Sequence, residues 1–383
     1  MKYEAVSIVP CATYEKETVK AALLKALLPI GGLDWVKKGM RVGLKANLVS
    51  FAKPEAAVTT HPAVLVALTE LLLARGASVV VGDSPGGLWT PAYVNRIYAA
   101  SGMKEVEAAG ATLNHNYEER VATNPNAVQA KTFCYTAYLD DCDAIVDVCK
   151  LKSHGMMGLS CAAKNMFGVV PGIMKPEYHY RYPDPNDFAD MILDLDAYFP
   201  PVLSIADAVV AMEGNGPTQG TPRPLNCLLA SKSPHCLDLA AARLIGLAIE
   251  DVPTLAAALR RGLIPDSLDK LTVHGAYQPL CVRDFLLIKN HNSLLFHKND
   301  TLFERSKGWV LEACLGAKPL PQKTMCIGCK KCANICPAKA ITMQSGLPVI
   351  DRKLCIKCFC CQEFCPTGAM QVYRPLVARI INK

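Results

Sequence analysis

Through the first 320 residues, short apolar runs rich in valine, isoleucine and leucine alternate with stretches of helical period. That alternation marks an α/β domain, with a mostly parallel sheet flanked by helices. Val42–Val49 reads as a strand whose polar end carries Lys45 and Asn47. His61-Pro62 opens a helix to about Ala74, with the proline where its missing N–H costs little and Gly76 as the cap. Ser78–Asp83 is a buried strand, followed by the loop Ser84-Pro85-Gly86-Gly87. Pro91 to about Ser101 predicts a further helix, and Ala111 to Ala137 only short strands and loops. Asp143–Cys149 is the next buried strand, polar at its exit through Lys150-Leu151-Lys152-Ser153-His154-Gly155. A helix-like stretch with Lys164, Asn165 and Phe167 ends at Gly168, and Pro171–His179 reads as a loop. Then come a helix (Asn186–Tyr198), a strand (Val202–Val210), the glycine-rich loop Glu213–Gly220, a short strand (Leu228–Ser231) and a helix (Pro234–Leu247). Arg261 to Pro321 predicts a closing strand and helix plus a connector.

The pattern changes after Pro321. The chain reads Cys326-x2-Cys329-x2-Cys332-x3-Cys336-Pro337, then Cys355-x2-Cys358-x2-Cys361-x3-Cys365-Pro366. Three thiolates at two-residue gaps wrap one face of an iron–sulfur cube, while the fourth turns away to the other cluster. The spacing therefore assigns Cys326, Cys329, Cys332 and Cys365 to one 4Fe-4S cluster, and Cys355, Cys358, Cys361 and Cys336 to a second. Structural zinc uses paired cysteines or cysteine with histidine, and a doubled triple ending in Cys-Pro is not that pattern. Cysteines two residues apart rarely bridge without strain, which disfavours a disulfide framework. Residues 322–374 closely resemble a bacterial two-cluster ferredoxin, which implies a small α+β domain. The expected division is an α/β domain at 1–317, a linker at 318–321, the ferredoxin-like domain at 322–374 and a tail at 375–383.

Charge follows the same division. The net +7 comes from the end of the chain: residues 322–383 hold ten Lys or Arg against two Asp or Glu, and the rest hold 31 against 32. An oxidised cube with four thiolates carries about −2, so two of them offset part of this excess. The remainder suits docking of an acidic electron-carrier protein better than nucleic acid. Eighteen cysteines suit a reducing compartment once eight serve clusters. Cys360 stands beside Cys361, off the ligand register. The chain opens with charged residues, and the apolar run Ala21–Leu28 is broken by Lys25 and ended by Pro29. These features predict no membrane span and a cytoplasmic protein, with an anaerobe suggested by the clusters.

Ligand-binding groups collect at the carboxyl ends of parallel strands. Lys45, Asn47 and Asp83 are thereby drawn toward one crevice, with Lys152, His154, Lys164, Asn165, Lys175 and His179 gathered nearby in sequence. Cations among glycines suit an anionic small molecule such as a carboxylate or phosphate. Lys152, His154 and His179 are the catalytic candidates, the histidines as acid–base groups or metal ligands. Glu213 and Asn215 stand in a loop able to nest an anion or simply to turn. Neither GxGxxG nor GxxxxGK[ST] is present, and flavin has no signature that the chain could lack. Lys45-Ala46-Asn47, His61-Pro62, Val81–Gly86, Lys150–Gly155, Lys164–Gly168 and Met212–Pro217 together resemble the DUF362 family, whose members often end in this two-cluster module. The resemblance implies the domain layout and a pocket but no reaction. Two functions follow as expectations. One is an iron–sulfur oxidoreductase relaying electrons to or from an anionic ligand in the α/β domain. The other is an electron-transfer or metallocofactor-handling protein that binds a partner without small-molecule turnover.

Overall fold

The computed structural model describes residues 3–275, 277–287 and 317–373. In chain order come β1 (Val6–Pro10), α1 (Lys16–Leu27), β2 (Arg41–Lys45), α2 (Pro62–Ala74), β3 (Ser78–Gly82), α3 (Pro91–Ala100), α4 (Met103–Ala108) and β4 (Thr112–Leu113). A separate hairpin, β5 (Glu119–Thr123) and β6 (Thr132–Thr136), precedes β7 (Ala144–His154), β8 (Gly158–Ser160), α5 (Ala162–Asn165), α6 (Lys175–Arg181) and α7 (Pro185–Tyr198). The long strands β9 (Leu203–Glu213) and β10 (Thr221–Ser231) lead to α8 (Pro234–Leu244), α9 (Pro253–Arg260) and β11 (Val273–His274).

The main sheet runs β11-β1-β10-β9-β7-β2-β3-β4, with β8 hooked onto β7. β2 pairs in parallel with β3 and β7, β3 with β4, and β7 with β9, while β10 is antiparallel to both β9 and β1. Side-chain alternation divides the strands between two cores. Val146 and Val148 join Val42, Leu44 and Val81 beneath α1 and α2. Ile145, Cys149 and Leu151 face the opposite side, against α7, α8 and α9. This is an α/β domain with a mostly parallel, mixed sheet flanked by helices.

Several expectations shift. The strand expected to stop at Cys149 continues to His154, because β8 folds back and pairs Lys152 with Ser160 and His154 with Gly158. The polar residues expected at its exit are therefore buried inside the sheet. The expected loop through His179 instead becomes α6, with Pro176 in its first turn and Tyr178 and His179 inward. The short strand at Leu228 is the second half of an eleven-residue strand paired with β9. The expected linker Lys318–Pro321 is itself a strand, β12, paired with the last strand of the module. Much of the region between Arg261 and Pro321, and the tail, lie outside the described residues.

The module contains β12, α10 (Lys331–Ile335), β13 (Ile341–Gln344), β14 (Leu347–Ile350), α11 (Cys360–Glu363) and β15 (Met370–Tyr373), its strands in two antiparallel pairs. The sequence repeat is also a backbone repeat: Lys330 and Phe359, each following the second cysteine of its motif, precede the two helices with left-handed φ of 62° and 61°. Phe359 and Val372 extend the apolar core of the α/β domain, which fixes the module against the sheet.

Candidate functional site

Register brings Lys45, Gly82 and Asp147 level across β2, β3 and β7. Lys45 Nζ lies 2.7 Å from Asp83 Oδ1 and donates to the Ala46 carbonyl at 2.8 Å, while Leu48 N–H donates to Asp83 Oδ2 at 2.7 Å. Gly168 passes so close that a Cβ there would run into both charged side chains. A second chain runs from Lys152 Nζ to Asn47 Oδ1 (2.7 Å), from Asn47 Nδ2 to Asn165 Oδ1 (2.8 Å), and from Asn165 Nδ2 to Asp147 Oδ1 (2.7 Å). Lys152 also donates to the Val58 carbonyl. Burial raises the Asp147 carboxyl to about 8.

Asn47, Asp83, Lys152, Asn165 and Gly168 lie at the floor of a cleft of about 550 Å³ between the sheet and the module, with Lys45 and Asp147 outside its lining. Asn47, Asp83, Lys152, Lys164, Asn165, Lys175 and His179 line it from the α/β domain, and Lys331, Cys360, Glu363, Phe364, Cys365, Pro366 and Gly368 contribute from the module. Among the described residues Lys164 Nζ has no hydrogen-bond or ion-pair partner, and it stands 5.6 Å from the centre of the Phe167 ring. Lys175 donates to the Ser84 carbonyl. Burial holds these ammonium groups below the usual lysine range: Lys152 at about 7, helped by Lys164 and Lys150, and Lys175 at about 8. His179 stacks on Phe188 at 4.3 Å, and burial pushes it down to about 3, so it is neutral at ordinary pH. A surplus of positive charge in a partly desolvated cleft is an arrangement for an anion.

His154 lies outside the lining. Its Nδ1 accepts the N–H groups of Met156 and Met157, both at 3.1 Å, which leaves the proton on Nε2, 3.1 Å from Glu363 Oε1. Burial, with Lys164 nearby, holds the imidazole at about 4. Burial alone would raise the Glu363 carboxyl, but His154 and Lys164 outweigh it and keep it at about 2. His154 thus meets the module rather than the cleft. Glu213 accepts Leu286 N–H, and Asn215 offers its carbonyl to Gln362 Nε2 at 3.0 Å, so neither lines the cleft. Lys45 also lies beneath the lining, held by Asp83. The loop of Glu213 and Asn215 is instead a docking element: Thr218 Oγ1 donates to the Glu363 carbonyl, and Gln219 Nε2 to that of Gln362. The module wall was missed in the sequence. Its one signal was Cys360, off the ligand register and now found buried in that wall.

Two smaller cavities lie within the module. One is lined by Cys326, Cys329, Cys332 and Cys365 among Ile327, Met343, Pro348 and Met370. The other is lined by Cys336, Cys355, Cys358 and Cys361 among Ile341, Ile356 and Phe359. Among the described residues no group of three or more His, Cys, Asp or Glu is arranged around a single metal ion. Four thiols facing one apolar cavity, with no competing carboxylate, fit an iron–sulfur cube, which takes its ligands at separate corners.

An α/β domain whose lysine-bearing strand ends are closed by a cysteine-rich module defines an iron–sulfur protein with an interdomain cleft. The chain belongs to the DUF362 family, a domain of unknown function matched over residues 42–243, and a 4Fe-4S dicluster domain is matched over 325–369. It is 32% identical over 269 residues to a thylakoid-associated protein of Synechocystis sp., covering 70% of this chain and 82% of that one. Among solved structures, the lactate racemase apoprotein of Thermoanaerobacterium thermosaccharolyticum matches 64% of this chain and 58% of its own, at 12% identity and a TM-score of 0.42. A Thermotoga maritima protein matches 56% of this chain and 55% of its own, at 15% identity and a TM-score of 0.34. The chain thus spans under two thirds of either solved structure. Among the described residues no helix is long and apolar enough to cross a membrane.

Proposed function

We propose that the protein is an iron–sulfur oxidoreductase whose ligand, an anionic substrate or cofactor, occupies the cleft. Cys326, Cys329, Cys332 and Cys365 would hold one 4Fe-4S cluster, and Cys355, Cys358, Cys361 and Cys336 the other. The observation that carries this reading is a shared wall: Cys365 and Lys331 line both the interdomain cleft and the first cysteine cavity. When bound, such clusters supply or accept single electrons. The chain's own residues bind and orient the ligand. Lys164 and Lys175 offset its negative charge in a partly water-excluded site. Lys152, near 7, is poised to give or take a proton at neutral pH. His179 offers a neutral imidazole to the same cleft, and Asn47 and Asn165 hold the Lys152 ammonium in place. His154 acts as a positioning residue, facing Glu363 and fixing the module wall. We take the setting to be the cytoplasm of an anaerobe.

The experiment is anaerobic. Reduced, iron-loaded protein is followed by visible absorbance for reoxidation that depends on added carboxylates or phosphate esters. The reading requires such turnover to fall by roughly tenfold or more in Lys164→Ala and Lys152→Ala at unchanged iron content, the usual effect of one charged contact made in the transition state. Unchanged rates would remove the cleft from the reaction. A second reading, electron transfer to a partner without small-molecule turnover, is favoured by the exposed side of the first motif. There Cys329, Lys330 and Lys331 are exposed, and Met325 and Ile327 are 43% and 68% exposed. A basic rim around an apolar centre suits an acidic carrier protein.

A further inference from the structure

The cleft has two chemically different ends. Around Gly86 three rings converge: Phe51 and Tyr93 meet edge to face at 4.8 Å, Tyr93 donates to the Gly86 carbonyl, and Phe364 of the module packs against Gly86 itself. Around Phe167 the cations converge, with Lys164 and Lys175 at 5.6 and 5.9 Å from its ring centre and His179 at 5.8 Å. All of these residues line one cavity.

At the cationic end, protein partners run short. Ser84 Oγ and His179 Nδ1 are buried with no hydrogen-bond partner, in residues 1% and 3% exposed. Lys164 Nζ is likewise unpartnered among the described residues. Of the carboxylates at the cleft, Asp83 is engaged by Lys45 and the Leu48 N–H, while Glu363 Oε1 stands 3.1 Å from the neutral His154 without a hydrogen bond to it. A buried polar group left unsatisfied is costly, so this end is built for something with acceptor oxygens. A phosphate or small carboxylate alone would satisfy it but would leave to water most of about 550 Å³, including the part lined by Tyr93, Phe364 and Phe51, whose ring also carries the Arg96 guanidinium at 5.1 Å. Ring faces in a cleft of this size suit a flat π-system.

We propose that the cleft takes a planar aromatic molecule bearing an anionic group, its ring system against Phe51, Tyr93 and Phe364 and its anion at Lys164, Lys175, Ser84 and His179. This rests on the cleft being the anion site and adds the class of ligand.

Binding to the full-length, iron-loaded protein is measured anaerobically by calorimetry with four probes: flavin mononucleotide, riboflavin, anthraquinone-2-sulfonate and inorganic phosphate. Both aromatic anions are expected to bind more tightly than phosphate, and riboflavin about tenfold more weakly than its phosphate ester, as loss of one charge-assisted contact implies. Phe51→Ala, at a half-exposed ring, is expected to weaken the aromatic anions several-fold and leave phosphate unchanged. Lys164→Ala is expected to weaken all three anions. Iron content and thermal unfolding serve as controls on folding for both variants. If phosphate binds in a Lys164-dependent manner and neither aromatic anion binds more tightly, the ligand class is wrong while the anion site stands. If no anion binds, both fall. If riboflavin binds as tightly as its phosphate ester, the anionic half of the proposal fails.

Discussion

Five buried or half-buried lysines, Lys45, Lys150, Lys152, Lys164 and Lys175, look alike in sequence and differ in what holds them. Lys45 is locked to Asp83, and Lys150 to Asp207 at 2.8 Å with Tyr14 as a second acceptor. Removing one partner of such a pair strands the other charge. Lys45→Ala is therefore expected to lower stability by about 3–5 kcal/mol, measured by urea unfolding under anaerobic conditions. Lys164 is held by no partner among the described residues, and burial already depresses its ammonium. Lys164→Ala is expected to change stability by less than about 1 kcal/mol while weakening anion binding, because it relieves a burial cost. The two outcomes separate a lysine that supports the fold from one kept for a ligand. The cleft also predicts a pH dependence. Lys152 and Lys175 titrate near 7 and 8 in the free protein, and a bound anion would raise both. Anion binding should take up protons in that range, so affinity is level below about pH 7 and falls above about pH 8. Calorimetry in buffers of different ionisation enthalpy reads the uptake directly; proton release on binding would contradict this account.

At the scale of elements, α11 decides whether a cleft exists at all. It is four residues long, yet Gln362, Glu363 and the following Phe364 reach Asn215, Thr218, His154 and Gly86. A Cβ at Gly86 would overlap the Phe364 ring and approach the Val49 carbonyl. Gly86→Val is expected to cost about 1–3 kcal/mol of docking by overpacking and to open the wall. The measurable sign is faster protease cleavage between the domains at unchanged iron content, since all eight motif cysteines lie within the module. Equal cleavage rates would show that α11 docks by other means. The elements of the sheet were largely legible, because parallel strands buried on both faces read as apolar runs bounded by turns. Three features were not. Lys150–His154 looks like a polar strand exit, and only the return of β8 makes it interior. Lys175–Arg181 carries Pro176 and glycines before it, signals of a loop that also fit the first turn of a helix. Glu213 and Asn215 were expected at an anion, but their partners, Leu286 and Gln362, lie more than 70 residues away, beyond any local pattern.

For the whole molecule, the two cysteine motifs cross. Cys365 belongs by sequence to the second motif and lines the cavity of the first, while Cys336 does the reverse. The cleft touches the first cavity through Cys365, so the wall that faces a ligand is built from the far end of the ladder. Crossing makes the iron content of paired variants non-additive in a defined way. Cys326→Ala and Cys365→Ala strike the same cavity, so each alone and both together should lose the same iron, about four atoms per chain. Cys326→Ala with Cys336→Ala strikes both cavities although both residues lie in one motif, and should lose about twice as much. Reading each motif as one cluster reverses the two outcomes. Metal analysis of the four anaerobically purified proteins, with EPR of the dithionite-reduced samples to count the remaining spin systems, decides between them. The Cys365 variants carry a second readout, because that residue also borders the cleft. Anion affinity should change in Cys365→Ala and hold in Cys355→Ala, whose cavity shares no lining residue with the cleft.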